Sequence, residues 1–327
     1  MSDKLLYSNI SVTNVEACNN LNHLVGSKAL SNRHSCSGSQ GHGFKPIIKM
    51  WLLCFVPLFV ATSLGSPLDT AELIFGGRRA TQSQWPWQVY LDMFPDDGGY
   101  SYCGGTLITR RHVLTAAHCL SELGKKSNAM LGIVDKNAPY TTEGAQVIGI
   151  KSSQAHPNYK GGGSYHNDIG IITLDENANL THVVELIKIK ADDQELLKAS
   201  GAYVTGYGTM EFDDGYPEDS RYLLYARIPF IDHTWCKNRW DQMSRSKVNL
   251  WDTQICAGAE GKGVGNGDSG GPIQVFQDDW YQVGISSFNA NKVHMMINQA
   301  EYPAVYTRLA KYCHFMATAT NGEFKCV

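Results

Sequence analysis

The sequence carries little charge and no surplus of positive charge. Only 18% of its 327 residues are Asp, Glu, Lys or Arg, and the formal net charge is -3. A chain without a basic surplus has no general field with which to bind phosphate-rich polymers. We therefore expect no nucleic acid among its partners. Hydrophobic residues make up 43% of the chain, which excludes disordered and coiled-coil proteins and predicts a folded core.

Long hydrophobic runs are also scarce, and the one pronounced run is short for a membrane span. Residues 50–64 read MWLLCFVPLFVATSL and follow Lys45 and Lys49. A positive flank, a run shorter than about 20 residues and small residues at its end are typical of a secretory signal peptide. We predict a signal peptide over 50–65 and a secreted, extracellular protein; the alternative is a short signal-anchor. The polar residues 1–49 are predicted to form a disordered extension that the mature protein lacks.

Close cysteine pairs of the Cys-x-x-Cys type are absent, which argues against a zinc site. Three of the nine cysteines lie upstream of or within the predicted signal peptide, namely Cys18, Cys36 and Cys54. The remaining six are an even number, which suits three disulfides formed in an oxidising compartment. Asn179 begins an Asn-Leu-Thr sequon, so we predict a glycosylation site there in the secreted chain.

From Ile74 onward the sequence alternates short β-branched or aromatic runs with turn residues. Examples are QVYLDM, QVIGI, IGIITL, AYVTGYG and YQVGISSF. Many short strands with few long helical periods predict an all-β fold built from antiparallel barrels or a sandwich. One helix of some length is predicted, over 310–319, and Asn321-Gly322 closes it.

Three short segments carry residues suited to nucleophilic catalysis. Ser269 lies in the sequence Gly-Asp-Ser-Gly-Gly-Pro, where flanking glycines allow a tight turn whose backbone amides are free to bind an oxyanion. His118 ends the run Leu-Thr-Ala-Ala-His, and Asp168 precedes the apolar run Ile-Gly-Ile-Ile. Alone, the Ser269 segment fits an ordinary glycine-rich turn equally well. The order His, Asp, Ser is one of the three chain orders known for the catalytic triad, so we predict that the three residues act together.

These segments resemble the chymotrypsin-like (trypsin-like, S1) serine endopeptidases. The resemblance runs from Ile74 to about Cys313 and includes further stretches: IFGG at 74–77, WPWQV at 85–89, CGG at 103–105 and PAVY at 303–306. It implies two six-stranded antiparallel β-barrels with a C-terminal helix, a protease domain over 74–327, and an active site where the barrels meet. It also implies hydrolysis of peptide bonds without a cofactor.

The resemblance assigns a role to each residue of the expected active site. It makes Ser269 the nucleophile, His118 the general base and then the general acid, and Asp168 the residue that orients the imidazole. The backbone amides of Gly267 and Ser269 are expected to form the oxyanion hole. Ser287 is expected to border the triad aspartate and the substrate strand; the alternative is a solvated strand serine.

The resemblance also implies synthesis as a zymogen. Cleavage after Leu73 is expected to remove a short propeptide, 66–73, and to free the amine of Ile74. That amine is expected to enter the protein and pair with Asp268, because a buried charge needs its partner. Most relatives in the family carry Arg or Lys where Leu73 stands, so we expect an activating protease that accepts Leu.

The family pattern pairs the six remaining cysteines in three disulfides. It implies bonds from Cys103 to Cys119 and from Cys236 to Cys256, which leaves Cys313 and Cys326 to tie the C-terminal tail to its helix. Two further disulfides of the family are missing at both ends. One is replaced by Gly265 and about Lys292, the other by Ala202 and Val275. We expect the loss of the first to loosen the specificity pocket.

The specificity pocket is expected to be uncharged and narrow. Gly263 stands at the pocket floor where trypsins carry Asp, and Asn289 and Ala304 replace two glycines of the pocket walls. We therefore predict cleavage after small or medium apolar residues rather than after Arg or Lys. The alternative is that Asn289 points away and leaves room for Leu or an aromatic residue.

No metal ion is expected, because Ile133 and Ala145 stand near the carboxylate positions of the family's calcium loop. Asp135 and Glu143 are interpreted as solvated loop charges. The expected partners are protein or peptide substrates, the activating protease and protein inhibitors, and the protein is expected to be a monomer. The alternative function is a catalytically silent protease homologue that acts as a binding or adaptor protein, which an occluded pocket would favour.

Overall fold

The computed structural model describes residues 76–327, apart from 163, 164, 214, 215 and 246. The predicted extension, the signal peptide over 50–65 and the bond between Leu73 and Ile74 lie outside the described residues. In the part of the chain that is described, no helix is long and apolar enough to span a bilayer.

Six antiparallel strands close into a barrel in the first half of the described chain. They are β2 (Gln88–Met93), β3 (Ser101–Leu107), β4 (His112–Thr115), β5 (Asn128–Leu131), β6 (Gln146–Ala155) and β7 (Gly170–Leu174). Their order around the barrel is β2-β3-β4-β7-β6-β5. The barrel is filled by apolar side chains that have almost no contact with solvent, among them Val89, Leu91, Leu107, Val113, Leu114, Leu131 and Ile172.

The second half of the chain forms an eight-stranded curled sheet. Its strands are β1 (Arg78–Arg79), β8 (Ala202–Gly206), β11 (Leu224–Ile228), β12 (Phe230–Ile231), β13 (Gln254–Ala257), β14 (Pro272–Phe276), β15 (Trp280–Phe288) and β16 (Ala304–Arg308). The order is β1-β11-β8-β14-β15-β16-β13-β12, while β9 (Thr209–Asp213) and β10 (Tyr216–Asp219) pair as a separate ribbon.

Pro229 marks the place where the curled sheet returns on itself. Only this residue separates β11, which pairs with β8, from β12, which pairs with β13 near the opposite end of the sheet. Proline cannot donate a ladder hydrogen bond, so the chain changes partners there. The predicted all-β class is confirmed. Of the two six-stranded barrels expected, the first is a closed barrel and the second takes the form of this eight-stranded curled sheet.

Three α-helices are present among the described residues: α1 (His233–Ser244), α2 (Val293–Ile297) and α3 (Cys313–Ala319). The predicted C-terminal helix is confirmed, although its first turn, Leu309–Tyr312, is a 3₁₀ helix. The sequence analysis missed α1, in which Cys236 and Trp240 alone are buried. The signal that marks its start is Asp232, whose carboxylate accepts a hydrogen bond from the amide of Trp235 at 2.8 Å.

Three disulfides connect cysteines within the two halves of the fold. Their partners are Cys103 with Cys119, Cys236 with Cys256, and Cys313 with Cys326. These are the pairs that the family pattern implies. The first of them ties β3 to the 3₁₀ turn Ala117–Glu122, which carries His118.

Buried polar side chains join the barrel to the curled sheet. Each hydrogen bond joins a residue of the barrel half to a strand of the sheet. Trp87 donates to Gln274 at 2.6 Å, Thr205 donates to Gln88 at 2.6 Å, and Thr106 donates to Gln282 at 2.7 Å. Such groups are costly to leave unpaired away from water, so they favour one way of docking the two halves.

A buried ion pair anchors the last strand, and we predict that breaking it is costly. Arg308 donates from Nε and Nη2 to both oxygens of Asp193, whose side chain is 3% exposed. Arg308→Met leaves that carboxylate buried without its partner and should lower the free energy of unfolding by about 3 kcal/mol. Lys198→Met is the matched control, because the Lys198–Glu195 pair is exposed and should contribute less than about 1 kcal/mol. Equal losses in urea denaturation of the two variants would contradict this assignment.

Candidate active site

The carboxylate of Asp168 is fully buried and receives hydrogen bonds from both halves of the fold. Its Oδ1 accepts the backbone N–H of His118 at 2.9 Å, and its Oδ2 lies 2.8 Å from Nδ1 of the same histidine. Oδ2 also accepts the hydroxyl of Ser287 at 2.6 Å. The backbone carbonyl of Asp168 accepts the hydroxyl of Thr307 at 2.8 Å. A buried negative charge therefore has a donor at each oxygen, as it must to remain charged away from water.

Asn167 shapes the turn that presents this carboxylate. Its φ of +60° lies in the left-handed region, which asparagine tolerates better than most residues. Its side chain accepts a hydrogen bond from the hydroxyl of Tyr312 at 3.0 Å and donates one to the carbonyl of Asn158 at 3.2 Å. No sequence pattern predicted these contacts of Asn167.

His118 is held in one orientation while part of its ring stays accessible. It lies in the 3₁₀ turn after β4, next to disulfide-bonded Cys119, and its side chain is 25% exposed. Because Nδ1 faces a carboxylate, the proton is favoured on that nitrogen and Nε2 is left as the acceptor. The ring of Tyr165 meets the imidazole edge-on, with centroids 5.7 Å apart.

The Ser269 turn is packed against the strand end that leads to His118. Gly267 and Gly270 on either side of it have φ values of +88° and +78°, which glycine adopts without strain. A Cβ on Gly270 would lie 2.1 Å from Oγ1 of Thr115, so only glycine permits this approach. The carbonyl of Ser269 accepts the N–H of Gly104, the neighbour of Cys103, at 2.7 Å.

The structure thus brings the serine turn beside the histidine segment, but it does not join the two side chains. Within the described residues, no hydrogen bond connects the hydroxyl of Ser269 to the ring of His118. Bonds of this kind are often long in ligand-free enzymes and shorten when substrate binds. The Asp168 to His118 contact is the part of the predicted triad that is already formed.

Two backbone amides of the serine turn are left without acceptors among the described residues, namely those of Gly267 and Ser269. The neighbouring amides are all used: that of Asp268 donates to Gly265, that of Gly270 to Ser286, and that of Gly271 to Asp268. Within residues 267–271, the two amides without an acceptor are therefore the two expected to bind an oxyanion.

Asp268 is a second buried carboxylate, and it has no salt-bridge partner in the described part of the chain. Its two oxygens accept the backbone N–H groups of Gly208 and Gly265, each at 2.8 Å. Burial raises the pKa of Asp268 to about 6, although these two hydrogen bonds act in the opposite direction. The residue expected to pair with it, Ile74, lies outside the described residues.

The four residues expected to line the specificity pocket lie at two strand ends and one turn. Ser287 is buried at the end of β15 and bonded to Asp168, while Ala304 begins β16 and has no solvent contact. Gly263 is buried just before the serine turn. The side chain of Asn289 donates to the carbonyl of Val264 at 2.8 Å, so it points toward the Gly263 segment rather than away from it.

An open cavity of about 350 Å³ lies beyond Asn289 and was not anticipated from the sequence. Tyr165, Trp240, Phe288 and Met295 are among its lining residues. The rings of Tyr165 and Phe288 are stacked, with centroids 5.3 Å apart. Three aromatic rings therefore contribute to the cavity wall, and one of them, Tyr165, also contacts the ring of His118.

The residues that resemble metal ligands do not form a usable site. Among the described residues, the one close group of three possible ligands is Cys103, His118 and Cys119, but both cysteines are oxidised in a disulfide and offer no thiolate. The carboxylate of Asp135 accepts hydrogen bonds from the guanidinium of Arg221 at 2.8 to 3.1 Å.

The side chain of Asn179, in the predicted sequon, is exposed.

Known proteins place the chain in one family. A family model described as Trypsin matches residues 74–316. The chain is 32% identical over 273 residues to chymotrypsin-C of Mus musculus, which covers 78% of this chain and 92% of that protein. It is 29% identical over 251 residues to chymotrypsin-like elastase family member 1 of Rattus norvegicus, with 76% and 90% covered. It is 30% identical over 274 residues to the phenoloxidase-activating enzyme of Bombyx mori, and it spans 60% of that protein's length. The chain therefore belongs to the trypsin family and is a serine endopeptidase.

Proposed function

We propose that the protein is a secreted endopeptidase made as a zymogen, which cuts peptide bonds after apolar residues through a covalent intermediate on Ser269. The observation that carries the proposal is the pair of contacts from the Asp168 carboxylate to the backbone and ring of His118. This arrangement fixes the imidazole with Nε2 as its proton acceptor, which is what a serine hydroxyl needs to become a nucleophile near neutral pH.

In the first half of the reaction, Oγ of Ser269 attacks the scissile carbonyl carbon while Nε2 of His118 takes the hydroxyl proton. Asp168 stabilises the imidazolium that forms. The carbonyl oxygen becomes an oxyanion and accepts hydrogen bonds from the backbone N–H groups of Gly267 and Ser269. Each such donor is worth about 3 kcal/mol of transition-state stabilisation.

The second half releases both products. The imidazolium of His118 gives its proton to the departing amine, the C–N bond breaks, and the acyl group stays on Ser269. A water molecule then attacks the ester while His118 takes a proton from the water, which forms a second tetrahedral intermediate. When that intermediate breaks down, His118 returns the proton to Oγ of Ser269 and the carboxylic acid is released. Protons and bonds balance without a cofactor.

Zymogen activation is supported by the state of Asp268. A buried carboxylate without a cation is unfavourable, and its raised pKa expresses that cost. Cleavage after Leu73 supplies an amine at Ile74 that can neutralise it. The pairing then holds the serine turn and its two amides in position. The activating protease must accept Leu before the bond that it cuts.

Secretion is supported by two features, one before residue 74 and one after it. The apolar run at 50–64 and three disulfides both fit export to an oxidising compartment. The expected partners are peptide or protein substrates, an activating protease and protein inhibitors that occupy the same cleft. A catalytically silent adaptor is the second candidate, and the inward-pointing Asn289 side chain favours it because it narrows the pocket.

We predict that Ser269→Ala abolishes covalent labelling by a fluorophosphonate and lowers peptide turnover by several orders of magnitude, because the triad acts as a unit. Mass spectrometry of the labelled protein and the rate of peptide hydrolysis are the measurements. Ser152→Ala is the matched control, since Ser152 is exposed on β6, and it should label like the wild type. Unchanged hydrolysis by Ser269→Ala, or a wild type that neither labels nor cuts, would contradict the proposal and favour the adaptor.

We predict that activation reverses the pH dependence that Asp268 gives to the free energy of unfolding. In the precursor its folded pKa of about 6 exceeds the reference value of 3.8. The carboxyl's contribution to stability is therefore full below pH 4 and is lost as the pH rises through 6, a change of about 3 kcal/mol. After cleavage, pairing with the Ile74 amine should lower the pKa, so that the contribution is instead lost on acidification.

The measurement is urea unfolding between pH 4 and 7 of precursor and cut protein. Both carry Ser269→Ala to prevent self-digestion, and each is compared with its Asp268→Ala counterpart. N-terminal sequencing of the cut, active enzyme should begin Ile74-Phe75-Gly76-Gly77. The same pH dependence before and after the cut, or full activity in the uncut chain, would contradict the activation mechanism.

A further inference from the structure

The side chain of Gln299 occupies the space beneath Gly263, at the expected floor of the specificity pocket. Gln299 is fully buried. A Cβ on Gly263 would lie 1.9 Å from Oε1 and 2.2 Å from Cδ of Gln299. The volume that a longer side chain at the pocket floor would use is therefore filled by an amide from another part of the chain.

The Gln299 amide is fixed by hydrogen bonds on both of its polar atoms. Its Nε2 donates to the carbonyl of Val264 at 2.6 Å and to the carbonyl of Met296 at 3.1 Å. Its Oε1 accepts the N–H of Val264 at 3.3 Å. Moving the side chain would leave these buried groups unpaired, which is costly. Gln299 therefore behaves as part of the pocket wall rather than as a mobile plug.

Asn289 completes the arrangement from the loop after β15. Its Nδ2 donates to the same carbonyl of Val264, at 2.8 Å. We call Val264, Asn289 and Gln299 the amide clamp. The clamp ties the Gly263 segment to the 289–299 loop, which is the connection that the missing disulfide between Gly265 and Lys292 would have made. Backbone bonds from Gln299 to Ala259 and from Gly261 to Ile297 support it.

We propose that the amide clamp closes the floor of the primary specificity pocket, so that the enzyme cuts after Ala and residues of similar size in preference to Leu and Phe. The inference rests on the proposed function and narrows its substrate class. The buried Ala304 side chain takes further volume from the same pocket. The open cavity of about 350 Å³ is lined by Asn289 but by neither Gly263 nor Ala304, so it lies outside the clamp.

The test is a series of peptides that differ only in the residue before the scissile bond, with Ala, Leu, Phe and Arg. It uses enzyme cut at Leu73, with active sites counted by fluorophosphonate titration. The wild type should cut the Ala peptide at least about 10-fold better than the Leu or Phe peptide, by kcat/KM. The wild type should cut the Ala peptide at least about 100-fold better than the Arg peptide, because the charged Arg side chain would find no counter-charge above Gly263.

Three variants test whether the clamp sets this preference. Gln299→Ala removes the filled volume, and the half-buried Asn289→Gly removes the second arm with little risk to folding; each should raise the Phe-to-Ala ratio of kcat/KM at least about 10-fold. Gln299→Met is the matched control, because it keeps the volume and loses the hydrogen bonds. Its ratio should stay within about 3-fold of the wild type.

A wild type that cuts Phe as well as Ala would overturn the inference. So would an unchanged ratio in Gln299→Ala and Asn289→Gly when both still titrate, or a Gln299→Met variant that shifts as far as Gln299→Ala. These results leave the proposed function intact. A wild type that binds no fluorophosphonate would instead overturn the proposed function, and this inference with it.

Discussion

The buried charge of Asp168 is the constraint on which the site depends. A carboxylate removed from water must be matched by donors, and here the donors come from distant parts of the chain: the backbone and ring of His118 in the barrel, and the hydroxyl of Ser287 in the curled sheet. The two halves of the fold must therefore dock in one way for the charge to be tolerated. That same docking aligns the histidine and places the serine turn beside it.

Asp268 shows the opposite solution to the same problem. It is as deeply buried as Asp168, but within the described residues it has two backbone donors and no salt-bridge partner, and burial raises its pKa to about 6 although the nearby Lys136 lowers it. One aspartate is satisfied by the fold itself, whereas the other leaves a charge to be neutralised by a group that the fold does not supply. The proposed activation by the amine of Ile74 uses that difference.

Much of the fold could be predicted from the sequence because it depends on local signals, and the contact between Asp168 and His118 could be expected from the family motifs that carry these residues. Short β-branched runs indicated the strands, and the glycines around Ser269 indicated a turn that only glycine can form. The turn of β11 into β12 at Pro229 and the hydrogen bonds of Gln299 to the Val264 backbone were not predicted. The Gln299 contact joins residues 35 apart in sequence, and its geometry depends on how the loop between them folds, for which no local pattern exists.

The kcat of the Asp168→Asn variant, measured on enzyme cut after Leu73, tests whether the Asp168 carboxylate sets the tautomer of His118. An amide at this position presents N–H to Nδ1 of His118 and favours the tautomer that carries its proton on Nε2, which cannot accept the serine proton. The account predicts a loss of about 10⁴-fold in kcat with the fold retained, as judged by urea denaturation and intact disulfides. A loss of less than 10-fold in a folded, correctly cut variant would contradict it.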